Sequence, residues 1–255
     1  FHISASTDMG TRRNVNQDSL FVRLLSTPSG YAVMAVLCDG MGGRTQGELA
    51  SSEVVSAFSD WMYRALPGLS AREFCPERLA QEWTALLEEE NRILCEYGRE
   101  SGSALGTTFV ALLLMQERFF MANIGDSRAY RLGPDSAVQL SRDHTLVAQE
   151  VARGDLTPEQ ARFAPQRNVL TRCLGSERGA QPEMTFGLVE PETAFVLCSD
   201  GFYHCLSEER LCESLYCGQK VERFANMAQR ERALIEYDKQ QGETDNISVI
   251  TIYAE

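Results

Sequence analysis

Aspartates placed beside glycine at the ends of apolar runs are the residues of this chain best suited to chemistry. The run Tyr31–Cys38 (YAVMAVLC) leads straight into Asp39-Gly40-Met41-Gly42-Gly43. Thr193–Cys198 leads in the same way into Ser199-Asp200-Gly201, and Asp245-Asn246 opens a third apolar run. Hard divalent cations take oxygen ligands and keep several waters, so a few carboxylates and one backbone carbonyl suffice to hold them. Gly40 can offer that carbonyl, because it has no side chain to block an approach. Taken singly, each aspartate is better explained by a turn or a helix cap. Their shared context favours a cation, since a charge abutting a buried strand end must be solvated, paired or metal-bound. Arg13, next to Arg12, offers a planar fork for two phosphate oxygens, with a plain surface arginine as the alternative. Asp126, in Gly125-Asp126-Ser127-Arg128, is a fourth acidic residue in a tight inter-strand position, where a hairpin aspartate competes with a ligand.

The elements that position these residues follow from pattern. Tyr31–Cys38 lacks polar alternation and predicts a strand covered on both faces. Thr27-Pro28-Ser29-Gly30 turns it back on a strand over Leu20–Leu25, and Ile3–Ser6 predicts a short first strand. Two long helices follow. Gln46–Leu66 places Leu49, Val54, Ala57, Phe58 and Trp61 near one face; Pro76–Arg99 does so with Leu79, Trp83, Leu86, Leu87 and Leu94, leaving Glu88-Glu89-Glu90 on the solvated side. Thr107–Met115, Arg118–Gly125 and Ser127–Leu132 predict three strands in an antiparallel meander, turning at Gln116-Glu117. Between Ser141 and about Glu177 the periodicity weakens into short helical pieces, the mark of an insertion or lid. A strand at Ala194–Cys198, a helix at Ser207–Tyr216, a longer one within Val221–Gln241 and a strand at Ile247–Tyr253 complete the chain. Strands at both ends and in the middle, with paired helices between, predict an α+β fold: a four-layer α-β-β-α sandwich of two largely antiparallel sheets flanked by helices.

With 255 residues and 44% hydrophobic content, the chain predicts one domain, residues 1–255, with an insertion at about 141–177. It begins at Phe1, as a trimmed chain or one domain of something longer would. A net charge of −12 argues against the basic surface that nucleic acid or anionic membrane requires. No apolar run approaches the roughly 18 residues of a membrane span. The eight cysteines lack paired CxxC spacing, as Cys205, Cys212 and Cys217 show, while Cys38, Cys173 and Cys198 lie in or beside apolar runs. They predict a reducing, cytoplasmic setting without structural zinc.

Six motifs in order, Gly10–Ser19 (GTRRNVNQDS), Asp39–Gly43 (DGMGG), Gly106-Thr107-Thr108, Gly125–Arg128 (GDSR), Ser199–Gly201 (SDG) and Asp245-Asn246, resemble those of the PP2C-type (PPM) metal-dependent protein serine/threonine phosphatases. The looser stretch Asn168–Gly175 is similar too, and the DGMGG form resembles the bacterial branch. The resemblance implies hydrolysis of phosphoserine and phosphothreonine in proteins by a water activated between two Mn2+ or Mg2+ ions, with no covalent intermediate. It implies that Asp39 bridges the two ions, with the Gly40 carbonyl on one and Asp200 and Asp245 on the other. Asp18 acts through waters, Asp126 with Asp200 holds a third, weaker ion, and Arg13 clamps the substrate phosphate. Residues 141–177 correspond to the family's flap. A bacterial branch implies phosphorylated protein substrates, a Ser/Thr kinase or its targets among them, and the chain is expected to be monomeric. Two positions depart from the pattern: Gln17 stands where many members have glutamate, and Met41 where eukaryotic members have a histidine proposed as general acid. His144 and His204 are expected to be structural or loop residues. No cysteine sits in a phosphate-cradling loop, so none is a candidate nucleophile. Two rival readings are a catalytically dead binding module, supported by Gln17 alone, and a small-molecule phosphomonoesterase using the same ions.

Overall fold

The computed structural model describes residues 1–43, 46–68, 75–216 and 226–255. The apolar run becomes the centre of a 13-residue strand, β3 (Gly30–Gly42), which hairpins with β2 (Asp18–Thr27). All seven residues from Ala32 to Cys38 are fully buried because both faces are covered. Ala32, Met34, Val36 and Cys38 pack towards helices, while Val33, Ala35 and Leu37 pack towards a second sheet. This is the period-2 alternation of a strand with two apolar neighbours in place of one.

The first sheet runs β2-β3-β5-β6-β9, with β5 (Phe109–Met115), β6 (Arg118–Ile124) and β9 (Glu183–Leu188). Short β4 (Leu105–Thr107) pairs with the end of β3. The second runs β1-β11-β10-β7-β8, with β1 (His2–Asp8), β7 (Arg128–Leu132), β8 (Ala137–Gln139), β10 (Thr193–Cys198) and β11 (Ile247–Ala254). Every strand-to-strand ladder in both sheets is antiparallel. Phe119, Phe195, Leu197, Ile250 and Ile252 help fill the space between the sheets. Helices α1 (Gln46–Ala65) and α2 (Pro76–Ser101) cover the first sheet, with Trp83 edge-on to Phe58 and Phe120. On the second sheet lie α5 (Asp200–Tyr203), α6 (Glu208–Leu215) and α7 (Met227–Gln240). The result is the expected four-layer sandwich.

Several local expectations change. The predicted meander breaks after β6: the turn at Gly125, whose φ is +99°, carries the chain across to the second sheet, where β7 pairs with β10. On α1 the buried face includes Ala50, and Leu49 is 38% exposed. Glu90 is buried against expectation, and burial pushes its carboxyl up to about 7. Strands β8 and β9 and the single turn of α5 were not anticipated. The start of the predicted helix at Val221, and Cys217, lie outside the described residues. Cys38 and Cys198 are fully buried, as expected of small hydrophobes.

Residues 141–177 hold α3 (Leu146–Arg153), capped by the Thr145 hydroxyl, and α4 (Pro158–Phe163), with a Thr157–Gln160 capping box. Both ends of the segment are tied down. His144 N–H donates to the Gly125 carbonyl, and Leu174 exchanges backbone hydrogen bonds with Thr107. No helix among the described residues is long and apolar enough to cross a membrane.

Candidate metal centre

The two sheets bring the acidic strand ends together at one end of the sandwich. Asp18, the first residue of β2, stands directly opposite Asp39 in the β2–β3 register. Like charges facing each other across a ladder repel. The second sheet brings Asp200, which starts α5 after Cys198 ends β10, and Asp245, two residues before β11. Asp126 sits in the crossover between the sheets. Gly40 is required by packing: a Cβ there would run into the Gly47 carbonyl on α1, while its N–H donates to Gln17 O at 3.1 Å.

The hydrogen bonding leaves these carboxylates only partly satisfied. Ser199 Oγ donates to Asp18 Oδ2 at 2.9 Å and accepts from Ser248 N–H, joining the two sheets. Asp18 Oδ1 and Asp200 Oδ1 are buried with no hydrogen-bond partner. Burial pushes Asp18 up to about 7, with Asp200 and Asp245 adding to it against the Ser248 and Ser199 hydrogen bonds. Burial also drives Asp39 well above the usual carboxylate range, helped by Asp18, Asp200 and Asp126. Asp126 and Asp200 are raised in the same way. Among the described residues, no three His, Cys, Asp or Glu side chains already converge as a ligand cage. What the site offers is a set of mutually repelling carboxylates, two of them with a buried unpaired oxygen, a donor set that suits a hard divalent cation.

Arg13 reaches this cluster from the loop before β2. Its Nη2 donates to Asp245 Oδ2 at 2.6 Å, with half of the side chain exposed. Asn246 staples that loop in place: its Nδ2 donates to the Met9 and Val15 carbonyls, and its Oδ1 accepts from Gln17 N–H. His204 lies one turn after Asp200, with Nε2 3.9 Å from Asp200 Oδ2 and Nδ1 3.5 Å from Glu243 Oε2. Burial works against the Glu243 charge, but hydrogen bonds from His204 and from the Asp245 and Thr244 N–H groups hold its carboxyl down at about 2.

Residues 10–237 match the family model described as Protein phosphatase 2C. The chain belongs to the protein phosphatase 2C family. Protein phosphatase PhpP of Streptococcus pneumoniae is 30% identical, covering 98% of this chain and 96% of that protein. The serine/threonine phosphatase of S. agalactiae superposes with a TM-score of 0.85 at 29% identity over 99% of both chains. The catalytic domain of PstP, solved in complex with two manganese ions, superposes with a TM-score of 0.78 at 26% identity over 99% of this chain and 98% of that one. The S. agalactiae protein and PstP are serine/threonine phosphatases.

In this PP2C-family chain, Asp18, Asp39, Asp126, Asp200, Asp245 and Arg13 all fall at the same end of the sandwich. Gln17 turns its side chain to Gly43 and Gly47, with Nε2 3.4 Å from the Gly43 carbonyl. His144 is a structural residue, since its Nδ1 accepts from Gly125 N–H and burial lowers it to about 4. His204, expected to be a structural or loop residue, follows the Asp200–Tyr203 helix and stands beside Asp200 and Glu243. Glu243, Ser199, Thr108 and Ser127 are further residues at the site that sequence reasoning missed. Thr108, Ser127 and Ser199 lay inside recognised motifs without a role, and that was the available signal; Glu243 lay in none of them.

Proposed function

We propose that this chain hydrolyses phosphoserine and phosphothreonine in proteins with the help of two divalent cations, Mn2+ or Mg2+, and without a covalent intermediate. The observation that carries this reading is the in-register pair Asp18 and Asp39 beside Asp200, with buried unpaired oxygens on Asp18 and Asp200. Asp39, the Gly40 carbonyl, Asp200 and Asp245 would hold the two ions, Asp18 would act through waters, and Asp126 with Asp200 would take a third. Bound ions supply an activated water and charge stabilisation for in-line attack on phosphorus. PstP in complex with two manganese ions supports the stoichiometry by analogy.

The chain's own groups divide the remaining work. Arg13 presents a fork to two phosphate oxygens, and its hold on Asp245 keeps it beside the acidic cluster. Cys38 and Cys198 take no part, because burial raises both thiols and disfavours the nucleophilic thiolate. Residues 141–177 would act as a flap on a single catalytic domain, rooted by His144 at Gly125 and by Leu174 at Thr107. Phosphorylated proteins, a Ser/Thr kinase or its targets among them, are the substrates this reading favours.

The test is release of phosphate from a phosphothreonine peptide by protein stripped with EDTA and then resupplied with Mn2+. Activity should vanish on stripping, return with Mn2+, and be nearly abolished in a folded Asp39→Asn variant. EDTA-insensitive turnover, or full activity of that variant, would overturn the proposal.

A further inference from the structure

Thr108 is the single residue between β4 and β5, and it is 1% exposed. It grips Asp39 by both backbone groups. Thr108 N–H donates to the Asp39 carbonyl at 2.9 Å, and Thr108 Oγ1 accepts from Asp39 N–H at 2.9 Å. The neighbouring Thr107 hydroxyl also donates to the Asp39 carbonyl at 2.9 Å. The same Thr108 oxygen lies 2.7 Å from Ser127 Oγ, next to Asp126. Ser127 is itself 1% exposed. The Thr108 methyl packs on the Gly125 backbone, where a Cβ would come within 2.7 Å of Thr108 Cγ2. One side chain therefore ties β3 of the first sheet to the crossover that leads into the second.

We propose that Thr108 is a positioning residue whose hydroxyl fixes Asp39 relative to Asp126, and thereby sets cation affinity and turnover. The inference deepens the cation-binding reading of the site and rests on it. Asp39 and Asp126 come from separate elements, and their charges repel. Asp39 and Asp126 would serve neighbouring ions that share Asp200, so their separation must be fixed, and the partners that orient ligands commonly govern affinity. A hydroxyl can do this at Thr108 because it accepts one hydrogen bond and still shares another with Ser127.

Two substitutions separate the hydroxyl from the methyl. Thr108→Val keeps the shape and leaves the Asp39 N–H and the Ser127 hydroxyl without this partner, while Thr108→Ser keeps the oxygen and drops the methyl. Mn2+ binding is measured by calorimetry without substrate, and kcat and KM with p-nitrophenyl phosphate at saturating Mn2+. Thr108→Val should weaken Mn2+ binding and lower kcat by about tenfold each, leaving KM nearly unchanged, with Thr108→Ser close to the parent. Unchanged Mn2+ affinity in a folded Thr108→Val variant, or a Ser variant as impaired as the Val variant, would overturn the proposal. If Thr108→Val fails to fold, Ser127→Ala removes only the link to the crossover. A weakened Mn2+ affinity there supports the inference, and an unchanged one overturns it. A parent protein that binds no Mn2+ would instead sink the proposed function itself.

Discussion

Replacing Asp18 by Asn should stabilise the cation-free protein and weaken its hold on cations. In the folded chain burial raises the Asp18 carboxyl from 3.8 to about 7. A group raised on folding contributes stability below its unfolded pKa and loses it as pH rises through the folded one. The cation-free protein should therefore lose stability between about pH 4 and pH 7. The difference between 3.8 and about 7 corresponds to roughly 4 kcal/mol if Asp18 titrated alone. Asp39, Asp200 and Asp245 repel Asp18, so a proton on one relieves the others, and about 2 kcal/mol is the reasonable share for one substitution. Asn keeps an acceptor for the Ser199 hydroxyl and can turn its amide towards Asp39. For a chain of this size, a gain of that order raises the melting temperature by roughly 5 °C. Melting of parent and variant in EDTA at pH 5 and pH 8 should show the full gain at pH 8 and about two-fifths of it at pH 5. Mn2+ should reverse the order at pH 8 by stabilising the parent more. A variant no more stable than the parent in EDTA at pH 8 would refute the electrostatic reasoning.

Three other outcomes follow from named contacts. Arg13→Ala should raise KM for a phosphopeptide by about tenfold or more, in keeping with the loss of a charge-assisted fork, and leave Mn2+ affinity within a few-fold; an unchanged KM contradicts a phosphate role. Asn246→Ala removes three hydrogen bonds that hold the Arg13 loop, so it should cost about 1–3 kcal/mol in urea unfolding and raise KM alongside it. His144 is lowered to about 4 by burial, with Arg172 adding to it. Its contribution is therefore present above about pH 6.5 and lost as pH falls towards 4, at no more than about 1.4 kcal/mol per pH unit. Relative to His144→Asn, the parent should become less stable across that window, and parallel pH profiles would exclude the assignment.

The strands that carry the site were legible because their neighbours on both faces are apolar. Tyr31–Cys38 and Thr193–Cys198 read as buried runs, with only Tyr31, 62% exposed, departing from that reading, and the aspartates at their ends stood out against them. Edge strand β9 was not legible: Phe186 is 60% exposed and Leu188 65% exposed, so no alternation marks a buried face. The crossing of β7 to the second sheet was hidden for a different reason, since periodicity reports a strand and not its partner. Helical phase was off by one at Leu49 because Ala50 is too small to stand out in an apolar pattern. The acidic run at Glu88–Glu90 read as uniformly solvated, although α2 turns Glu90 inward. The supporting hydrogen bonds, such as Thr108 to Asp39 or Ser199 to Asp18, join residues 69 and 181 positions apart. Ser and Thr are common enough that only the folded chain singles them out.

The central claim is that the carboxylates of Asp39, Asp200 and Asp245 are cation ligands. Crystals of the protein soaked in Mn2+, with diffraction recorded at the manganese absorption edge, test it most directly. The account predicts two strong anomalous peaks beside Asp39, one against the Gly40 carbonyl and one against Asp200 and Asp245, with Arg13 free of Asp245. Peaks elsewhere on the surface, or no ordered manganese beside Asp39 at saturating concentration, would contradict it.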